Sequence, residues 1–230
     1  MKFVVTAGPT REFIDPVRFL SNPSTGRMGF AVARAARAAG HDVTLIAGPV
    51  SLKTPPGVMR IDVVSARDML RVVRTVIARA DVLVMTAAVA DWRPAHCASR
   101  KLKIMEMSDT LHLVRNPDIL KTINQSCGRA ALVAAKTGTT GVPPVALIRI
   151  GFAAETGAPA AEAARKCREK GLDLVVGNDV TEPGSGFGTD TNRVTFVTPD
   201  GNVQSLPFMS KLAVARRIVS FAERRAKGKE

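Results

Sequence analysis

A Ser- and Gly-rich loop that opens a helix is the chemically most informative part of this chain. The sequence SNPSTGRMGF, residues 21–30, follows an apolar strand that ends in TAGPTR and runs into an Ala-rich helix. Gly26 and Gly29 would let the backbone approach a ligand closely. Ser24 and Thr25 offer hydroxyls, and the first helical turn adds free N–H groups and the positive end of the helix dipole. The loop therefore predicts an anion site with phosphate as its ligand, and a capped helix start is the alternative.

The thiols and imidazoles are scattered along the chain and do not form a recognisable metal or disulfide pattern. The cysteines are odd in number and no CxxC pair is present, which favours reduced thiols over a disulfide framework. One Cys and one His are adjacent, but a structural zinc site needs three or four ligands. A zinc centre is therefore not expected. The six residues are Cys97, Cys127, Cys167, His41, His96 and His112.

Strand and helix patterns alternate along the chain and must position the predicted anion site. Buried-type apolar runs are followed by amphipathic segments with capping residues and terminal glycines, which indicates βαβ units. An Asp-Gly turn near the C-terminus predicts an antiparallel hairpin. The expected fold is a Rossmann-like, doubly wound, mostly parallel α/β sheet with an antiparallel C-terminal extension. The predicted strands are Lys2–Ala7, Asp42–Ala47, Asp81–Thr86, Ile150–Ala154, Leu172–Gly177, Arg193–Val197 and Val203–Leu206, and the predicted helices are Arg27–Ala39, one capped by Ser65 and Asp68, Pro159–Lys170 and one capped by Ser210. Residues 93–112 and 124–148 are predicted to be irregular, mobile segments.

A dinucleotide is the obvious ligand of such a sheet, but the sequence argues against it. Gly8-Pro9-Thr10 follows the first strand in place of GxGxxG, and Gly48-Pro49 ends the second strand without an acidic residue for a ribose. A GxxxxGK[ST] loop is also absent from the sequence. A mononucleotide or a phosphorylated substrate is the better expectation. A nicotinamide-dependent oxidoreductase is disfavoured further, because no plausible Tyr/Lys or His catalytic set is present.

Composition limits the remaining classes. The 230 residues are 46% apolar, which fits one globular domain over residues 1–230. No uncharged apolar run reaches about 18 residues, and the N-terminus lacks a secretory pattern, so we expect a cytoplasmic protein without a membrane span. The net charge of +13 attracts small polyanions. Only 4% of residues are aromatic and none is Tyr, which disfavours an RNA-binding module and nucleic acid as a partner.

Five motifs stand in order and cover most of the chain: TAGPTREFIDPVRFLSNPSTGRMGFAVA, TAAVADWRP, KLK with RNPDIL, GFAAET, and KGLDLVVGNDV with GFGTD. Together they resemble bacterial phosphopantothenoylcysteine synthetase, a ligase of coenzyme A biosynthesis, in its free-standing form without the decarboxylase domain. The resemblance implies joining of 4′-phosphopantothenate to L-cysteine with CTP and Mg²⁺, through an acyl-cytidylate. It also implies a homodimer, for which the segment Arg193–Leu206 is the expected contact.

The resemblance assigns roles to individual residues. Asn22 and Lys101 are the implied catalytic residues, and no direct side-chain ligand for the metal is expected. The implied nucleotide-binding residues are Met85, Thr86, Ala87, Asp91, Lys101, Asn116, Pro117, Asp118, Ile119, Phe152, Lys166 and Lys170. The implied substrate-binding residues are Gly8, Asn22, Ser24, Thr25, Gly26, Met28, Asn178 and Asp179.

Several of these residues have a structural alternative. Lys166 lies four residues after Glu162 and would suit a surface helix pair, while Lys170 suits a helix C-terminus. The alternatives are a turn or cap position for Asp91 and Asn116, an Asx turn for Asn178-Asp179, and a core position for Phe152. The chain also departs from the family pattern at two positions, where Ile104 replaces a lysine of the Lys101 loop and Arg27 replaces a lysine of the glycine loop.

Overall fold

The computed structural model describes residues 1–125, 147–157 and 159–228. The strands within these ranges are β1 (Lys2–Ala7), β2 (Arg11–Phe13), β3 (Phe19–Ser21), β4 (Asp42–Ala47), β5 (Met59–Asp62), β6 (Val82–Met85), β7 (Trp92–Pro94), β8 (Leu113–Arg115), β9 (Ile148–Glu155), β10 (Leu174–Asp179), β11 (Thr191–Asn192), β12 (Thr195–Val197), β13 (Val203–Ser205) and β14 (Met209–Ser210). The α-helices are α1 (Arg27–Ala38), α2 (Ala66–Val76), α3 (described over 119–125), α4 (Pro159–Glu169) and α5 (Lys211–Ala226). Two 3₁₀ turns span Ile77–Arg79 and Ile104–Glu106.

In the described ranges, eight strands form the central sheet in the order β13-β12-β10-β9-β6-β1-β4-β5. The six strands from β10 to β5 are parallel to one another. Strands β12 and β13 continue the sheet in antiparallel pairing beyond β10. The predicted fold class, a mostly parallel sheet with an antiparallel C-terminal extension, is confirmed. Chain order runs outward from β1 to β5 on one side and from β6 to β13 on the other, so the topological switch point lies between β1 and β6.

Helices cover both faces of the sheet, which explains why its central strands are mostly apolar and are buried along most of their length. Phe3 and Val5 of β1 pack on one face with buried residues of α1 and α5. Val4 faces the other side and belongs to a second cluster with residues of α2, α3 and α4. The alternation along β1 therefore assigns α1 and α5 to one layer and α2, α3 and α4 to the opposite one.

Local signals in the sequence predicted several element ends correctly. Ser65 and Asp68 form the expected capping box of α2, and Ser210 caps α5 by accepting the Ala213 N–H at 3.2 Å. Gly201 has the positive φ of 88° that its hairpin turn between β12 and β13 requires.

Several strand boundaries were predicted incorrectly, by one or two residues each. Strand β10 begins two residues later than Leu172, because Leu172 donates its N–H to the Cys167 carbonyl at 3.0 Å and belongs to the end of α4. Gly171, with φ of 53°, reverses the chain there, as a helix C-terminal glycine does. Strand β9 begins earlier than predicted, at Ile148.

The irregular segments were only partly anticipated. Strand β8 begins directly after segment 93–112, the end of β7 and a 3₁₀ turn lie inside it, and β7 pairs with β8. Most of segment 124–148 and Cys127 lie outside the described residues. The two-stranded pairs β2–β3, β7–β8 and β11–β14 were not predicted, since strands of two or three residues are too short to show a period.

Candidate active site

A cleft of about 460 Å³ lies at the carboxyl ends of the parallel strands. Its walls come from the loop before α1, the loop after β6, the start of α3, residues of α4 and the segment after β10. The switch point between β1 and β6 opens into this cleft, as expected for a ligand site of an open α/β sheet. Of the predicted site residues, the cleft is lined by Asn22, Ser24, Thr25, Gly26, Met28, Met85, Thr86, Ala87, Asp91, Asn116, Pro117, Asp118, Ile119, Phe152, Lys166, Lys170 and Asn178.

The start of α1 has the geometry of an anion cradle. Gly26 is the N-cap residue with φ of 78°, and no described side chain caps the helix. Ser24 instead accepts the Gly26 N–H within its own loop, at 3.4 Å. The simple capped helix start is therefore not what the structure has, and the N–H groups of the first turn face the cleft without a side-chain acceptor.

Gly29 fixes how closely this cradle approaches the sheet. A Cβ at Gly29 would lie 2.5 Å from the Ala7 Cβ and 2.5 Å from the Thr86 Oγ1. Thr86 in turn donates its hydroxyl to the Thr6 carbonyl at 2.6 Å. The absence of a side chain at Gly29 thus allows α1 to pack directly on β1 and on the loop after β6.

The loop after β6 is held by side chains of neighbouring segments. Asn22 donates its amide N–H to the Ala88 carbonyl at 3.1 Å. This bond joins the loop before α1, residues 22–26 (the cradle loop), to the loop after β6. Asn116 donates to the Ala90 carbonyl at 2.9 Å, and its own N–H donates to the Asp91 carbonyl at 2.8 Å. Asn116 therefore holds the loop after β6 through bonds to residues about 25 positions away, which is not the local turn or cap of its structural alternative, and it also lines the cleft.

Lys166 points into the cleft and does not form the surface pair that its spacing from Glu162 suggested. Its Nζ donates to the Phe152 carbonyl at 3.2 Å, whereas Glu162 pairs with Arg165. Burial lowers the pKa of Lys166, and the neighbouring charge of Lys170 lowers that pKa further. Lys166 is thus a partly desolvated cation held against the backbone of β9.

Lys170 forms an ion pair with Asp118, with 2.9 Å between Nζ and Oδ2. Asp118 also accepts the Lys121 N–H at 3.0 Å at the start of α3. Burial alone would raise the pKa of Asp118, but the Lys121 N–H and Lys170 lower it overall. The pair brings together two predicted nucleotide-binding residues that are 52 positions apart in the chain.

Three predicted site residues do not line the cleft. Gly8 packs beneath Gly26, whose Cβ would lie 3.3 Å from the Gly8 N. Asp179 accepts the N–H and the hydroxyl of Thr181 at 2.8 and 2.6 Å, so its structural alternative, an Asx turn, is what the structure has. Lys101 is exposed in the loop before the second 3₁₀ turn, outside the cleft wall.

The peptide group after Lys101 is fixed. The Leu102 N–H donates to the fully buried Asp15 carboxylate at 3.2 Å, and Arg18 donates to the Leu102 carbonyl at 3.2 Å. Burial acts to raise the pKa of Asp15, but the N–H donors of Val17, Arg18 and Leu102 and the charge of Arg18 lower it overall. The Lys101 loop is therefore anchored to the turn that precedes the cradle loop.

Sequence analysis missed one wall of the cleft, formed by the Gly-rich segment after β10 and the first residue of α5. The GFGTD string could have indicated that the Gly-rich segment lines the cleft. The lysine directly after Ser210, the N-cap of α5, could have indicated that α5 contributes to the same wall. The additional lining residues are Pro23, Arg27, Gly29, Ala88, Val89, Ala90, Leu120, Ala154, Val180, Gly186, Phe187, Asn192 and Lys211.

Two further observations bear on ligands and location. Across residues 1–125, 147–157 and 159–228, no group of three or more His, Cys, Asp and Glu side chains is arranged to hold a metal ion. None of the helices in the same ranges has the length and apolar character needed to cross a bilayer.

The fold and the cleft define a doubly wound α/β protein with a candidate anion site at its switch point. A family model described as the C-terminal domain of DNA/pantothenate metabolism flavoproteins matches residues 1–224, and the chain belongs to this family. The chain is 45% identical over 217 residues to the coenzyme A biosynthesis bifunctional protein CoaBC of Bacillus subtilis (strain 168), covering 94% of the chain and 49% of that protein. It is 44% identical over 224 residues to CoaBC of Mycobacterium bovis, covering 95% and 51%. The chain thus spans about half the length of these curated relatives.

Solved structures support the same family. The crystal structure of the C-terminal domain of CoaBC matches with a TM-score of 0.77 and 36% identity, covering 99% of the chain and 96% of that structure. The Cab2 H337A mutant in complex with phosphopantothenate-cysteine matches with a TM-score of 0.73 at 15% identity, covering 99% and 87%, which shows a shared fold. The family resemblance that the motifs indicated is therefore confirmed.

Proposed function

We propose that this protein is a phosphopantothenate–cysteine ligase that joins 4′-phosphopantothenate to L-cysteine with CTP. The observation that carries the proposal is the arrangement of one cleft, with a helix N-terminus on one side and the lysines of α4 on the other. Two anionic reactants can be held there against each other. Membership of the family whose relatives include CoaBC supports this choice of reactants.

In the first half-reaction, a carboxylate oxygen of 4′-phosphopantothenate attacks the α-phosphate of CTP, and pyrophosphate leaves. Lys166 and Lys170 offset the charge of the nucleotide phosphates, while the N–H groups at the start of α1 hold the phosphate of the acid. Lys101 lies outside the cleft wall, so its side chain must extend from its loop towards the cleft to act on the reacting phosphates. These groups act mainly by positioning and by electrostatic stabilisation, because the transfer needs little covalent chemistry from the protein.

In the second half-reaction, the amine of cysteine attacks the acyl carbon and CMP leaves. Asn22 is suited to orient the acyl-cytidylate, because its amide bonds to Ala88 between the cradle loop and the loop after β6. Exclusion of water from the cleft would protect the activated acid from hydrolysis. Mg²⁺ bound to the phosphates of CTP would supply further charge neutralisation there, since Mg²⁺ prefers phosphate and water ligands to a cage of protein side chains.

The assay measures pyrophosphate and CMP from the purified protein with CTP, 4′-phosphopantothenate and cysteine. Pyrophosphate release should need CTP and the acid, and CMP release should need cysteine as well. CTP consumption that ignores the acid or cysteine contradicts the proposal. In a parallel thermal-unfolding series, CTP should raise the melting temperature and NADPH should not, because a ligand that binds only the folded state stabilises it.

We also propose a cytoplasmic homodimer, in which the exposed edge strand β13 of the hairpin within Arg193–Leu206 forms the contact. Val203 on this edge is 49% exposed. The hairpins β2–β3 and β7–β8 offer a second apolar surface, where Trp92 is 45% and Leu113 is 42% exposed. Light scattering should find a dimer at micromolar concentration. Val203→Lys should dissociate it, whereas dissociation by Leu113→Lys alone would assign the contact to the second surface.

A further inference from the structure

Lys211 is a buried cation in the cleft wall that the reaction described above does not use. It is the first residue of α5 and only 6% exposed. Its Nζ donates to the Gly186 carbonyl at 2.8 Å and to the Thr189 carbonyl at 2.7 Å, with the Thr189 hydroxyl at 3.5 Å. A buried ammonium group is destabilising unless its donors are bonded, so these contacts are needed to keep it in place.

The segment that Lys211 binds is the Gly-rich loop, residues 184–190, that follows β10. Gly184, Gly186 and Gly188 have φ of 80°, 84° and 81°, values that favour glycine strongly. Gly186 and Phe187 line the cleft. A loop with three such glycines loses much conformational entropy when it is ordered, so contacts from outside the loop must fix it.

Those outside contacts join the Gly-rich loop to the layer that contains α1 and α5. Asp190, the last residue of the loop, forms an ion pair with Arg27, the first residue of α1. The backbone N–H of Lys211 also donates to the Asp190 carbonyl at 2.9 Å. The loop therefore connects the beginnings of the two helices, directly beside the anion cradle.

The charged groups around Lys211 also connect it to the side of the cleft that α1 forms. Burial lowers the pKa of Lys211, and the Arg27 guanidinium lowers it further, which indicates that the two cations act on each other. Both belong to the layer of α1, whereas Lys166 and Lys170 lie on the opposite side of the sheet with α4. Lys211 is thus placed to affect one side of the cleft only.

We propose that Lys211 is a positioning residue for the acid substrate: it fixes the Gly-rich loop against the start of α1 and so sets the wall beside the phosphate cradle. The identity of the acid rests on the proposed function, but the fixing of the loop does not. Loss of Lys211 should weaken binding of 4′-phosphopantothenate and leave binding of CTP nearly unchanged.

The test compares Lys211→Met, which keeps most of the length of the side chain but removes the charge, with Lys211→Arg, which keeps the charge. Lys227→Met, an exposed lysine at the other end of α5, is the matched control. In Lys211→Met we expect KM for 4′-phosphopantothenate and its calorimetric Kd to rise at least tenfold. The KM for CTP should stay within twofold, Lys211→Arg should recover part of the loss, and Lys227→Met should match the parent. Equal increases in both KM values, or none, overturn the proposal.

Hydrogen–deuterium exchange separates this proposal from the function. Exchange of residues 184–190 should increase in Lys211→Met without any ligand, and unchanged exchange overturns the positioning role even if the parent has ligase activity. If the parent makes no product, the function fails while the exchange result still decides the role of Lys211. Should Lys211→Met not fold, Asp190→Asn removes the tie to Arg27 instead. The Asp190→Asn variant should raise the KM for 4′-phosphopantothenate, by less than the tenfold expected for Lys211→Met, and leave the KM for CTP unchanged. Equal changes in both KM values, or no change, count against the proposal.

Discussion

Gly29→Ala should damage the anion cradle by pushing α1 away from the sheet. The new Cβ would lie 2.5 Å from both the Ala7 Cβ and the Thr86 Oγ1, against an ordinary carbon–carbon contact of about 3.5–4.0 Å. Neither neighbour can move aside, because Ala7 is a fully buried residue of β1 and Thr86 is bonded to the Thr6 carbonyl. Relief requires α1 to shift by about 1 Å, and overpacking of this kind costs about 1–3 kcal/mol.

The shift should affect stability and ligand binding together. A loss of 2 kcal/mol lowers the melting temperature of a chain of this size by about 4–8 °C. A displacement of about 1 Å also takes the cradle N–H groups outside hydrogen-bond range of a bound phosphate. Gly40→Ala is the matched control at the other end of α1, since φ of 84° makes it strained by about 1–2 kcal/mol while no described atom lies within 4 Å of its Cβ. Thermal unfolding and calorimetry with 4′-phosphopantothenate measure both effects. Parental affinity in Gly29→Ala, or an equal loss of affinity in Gly40→Ala, would refute the reasoning.

Three further changes test separate parts of the site. Lys101→Gln should slow pyrophosphate release by an amount equivalent to about 2–4 kcal/mol while the melting temperature stays unchanged, and normal release would remove Lys101 from the mechanism. Asn22→Asp should accumulate acyl-cytidylate and release CMP slowly after cysteine is added, because it loses a donor and gains a negative charge; loss of the first step alone would argue against this role. Asp15 has a pKa below its ordinary value of 3.8 in the folded state, so its stabilisation is complete above that value and is lost as pH falls through the lower folded pKa. Asp15→Asn should therefore flatten the acid limb of the stability curve, and an acid limb identical to the parent's would contradict this.

The sequence predicted the parts of the molecule that local rules determine. The apolar runs of β1 and β4 and the capping box at Ser65 depend on neighbours in the chain, and they were identified with their correct ends. The turn at Gly171 that ends α4 includes Leu172, so β10 begins later than predicted. The sequence pattern alone does not decide whether these residues end the helix or begin the strand. Element existence was thus easier to predict than element ends.

The same distinction between local and long-range determinants applies to the candidate site. Residues inside recognisable motifs were found, and most of them line one cleft. Lys211 was missed because its burial comes from carbonyl groups more than 20 positions away, which no periodicity reveals. The pairing of Lys170 with Asp118 in place of a role at a helix end, and of Lys166 with the Phe152 carbonyl, likewise depends on how α4 packs beside β9.

The ion pair between Lys170 and Asp118 has a consequence for which anions the cleft admits. A phosphate that approaches Lys170 must compete with a carboxylate that already satisfies it at 2.9 Å. A small anion such as inorganic phosphate gains little from that exchange, because it replaces one charged partner with another and leaves Asp118 without its cation. A larger ligand with several contacts along the cleft can compensate for the displaced carboxylate. We therefore expect Asp118 to make the cleft select against small anions, which cannot compensate for the displaced carboxylate.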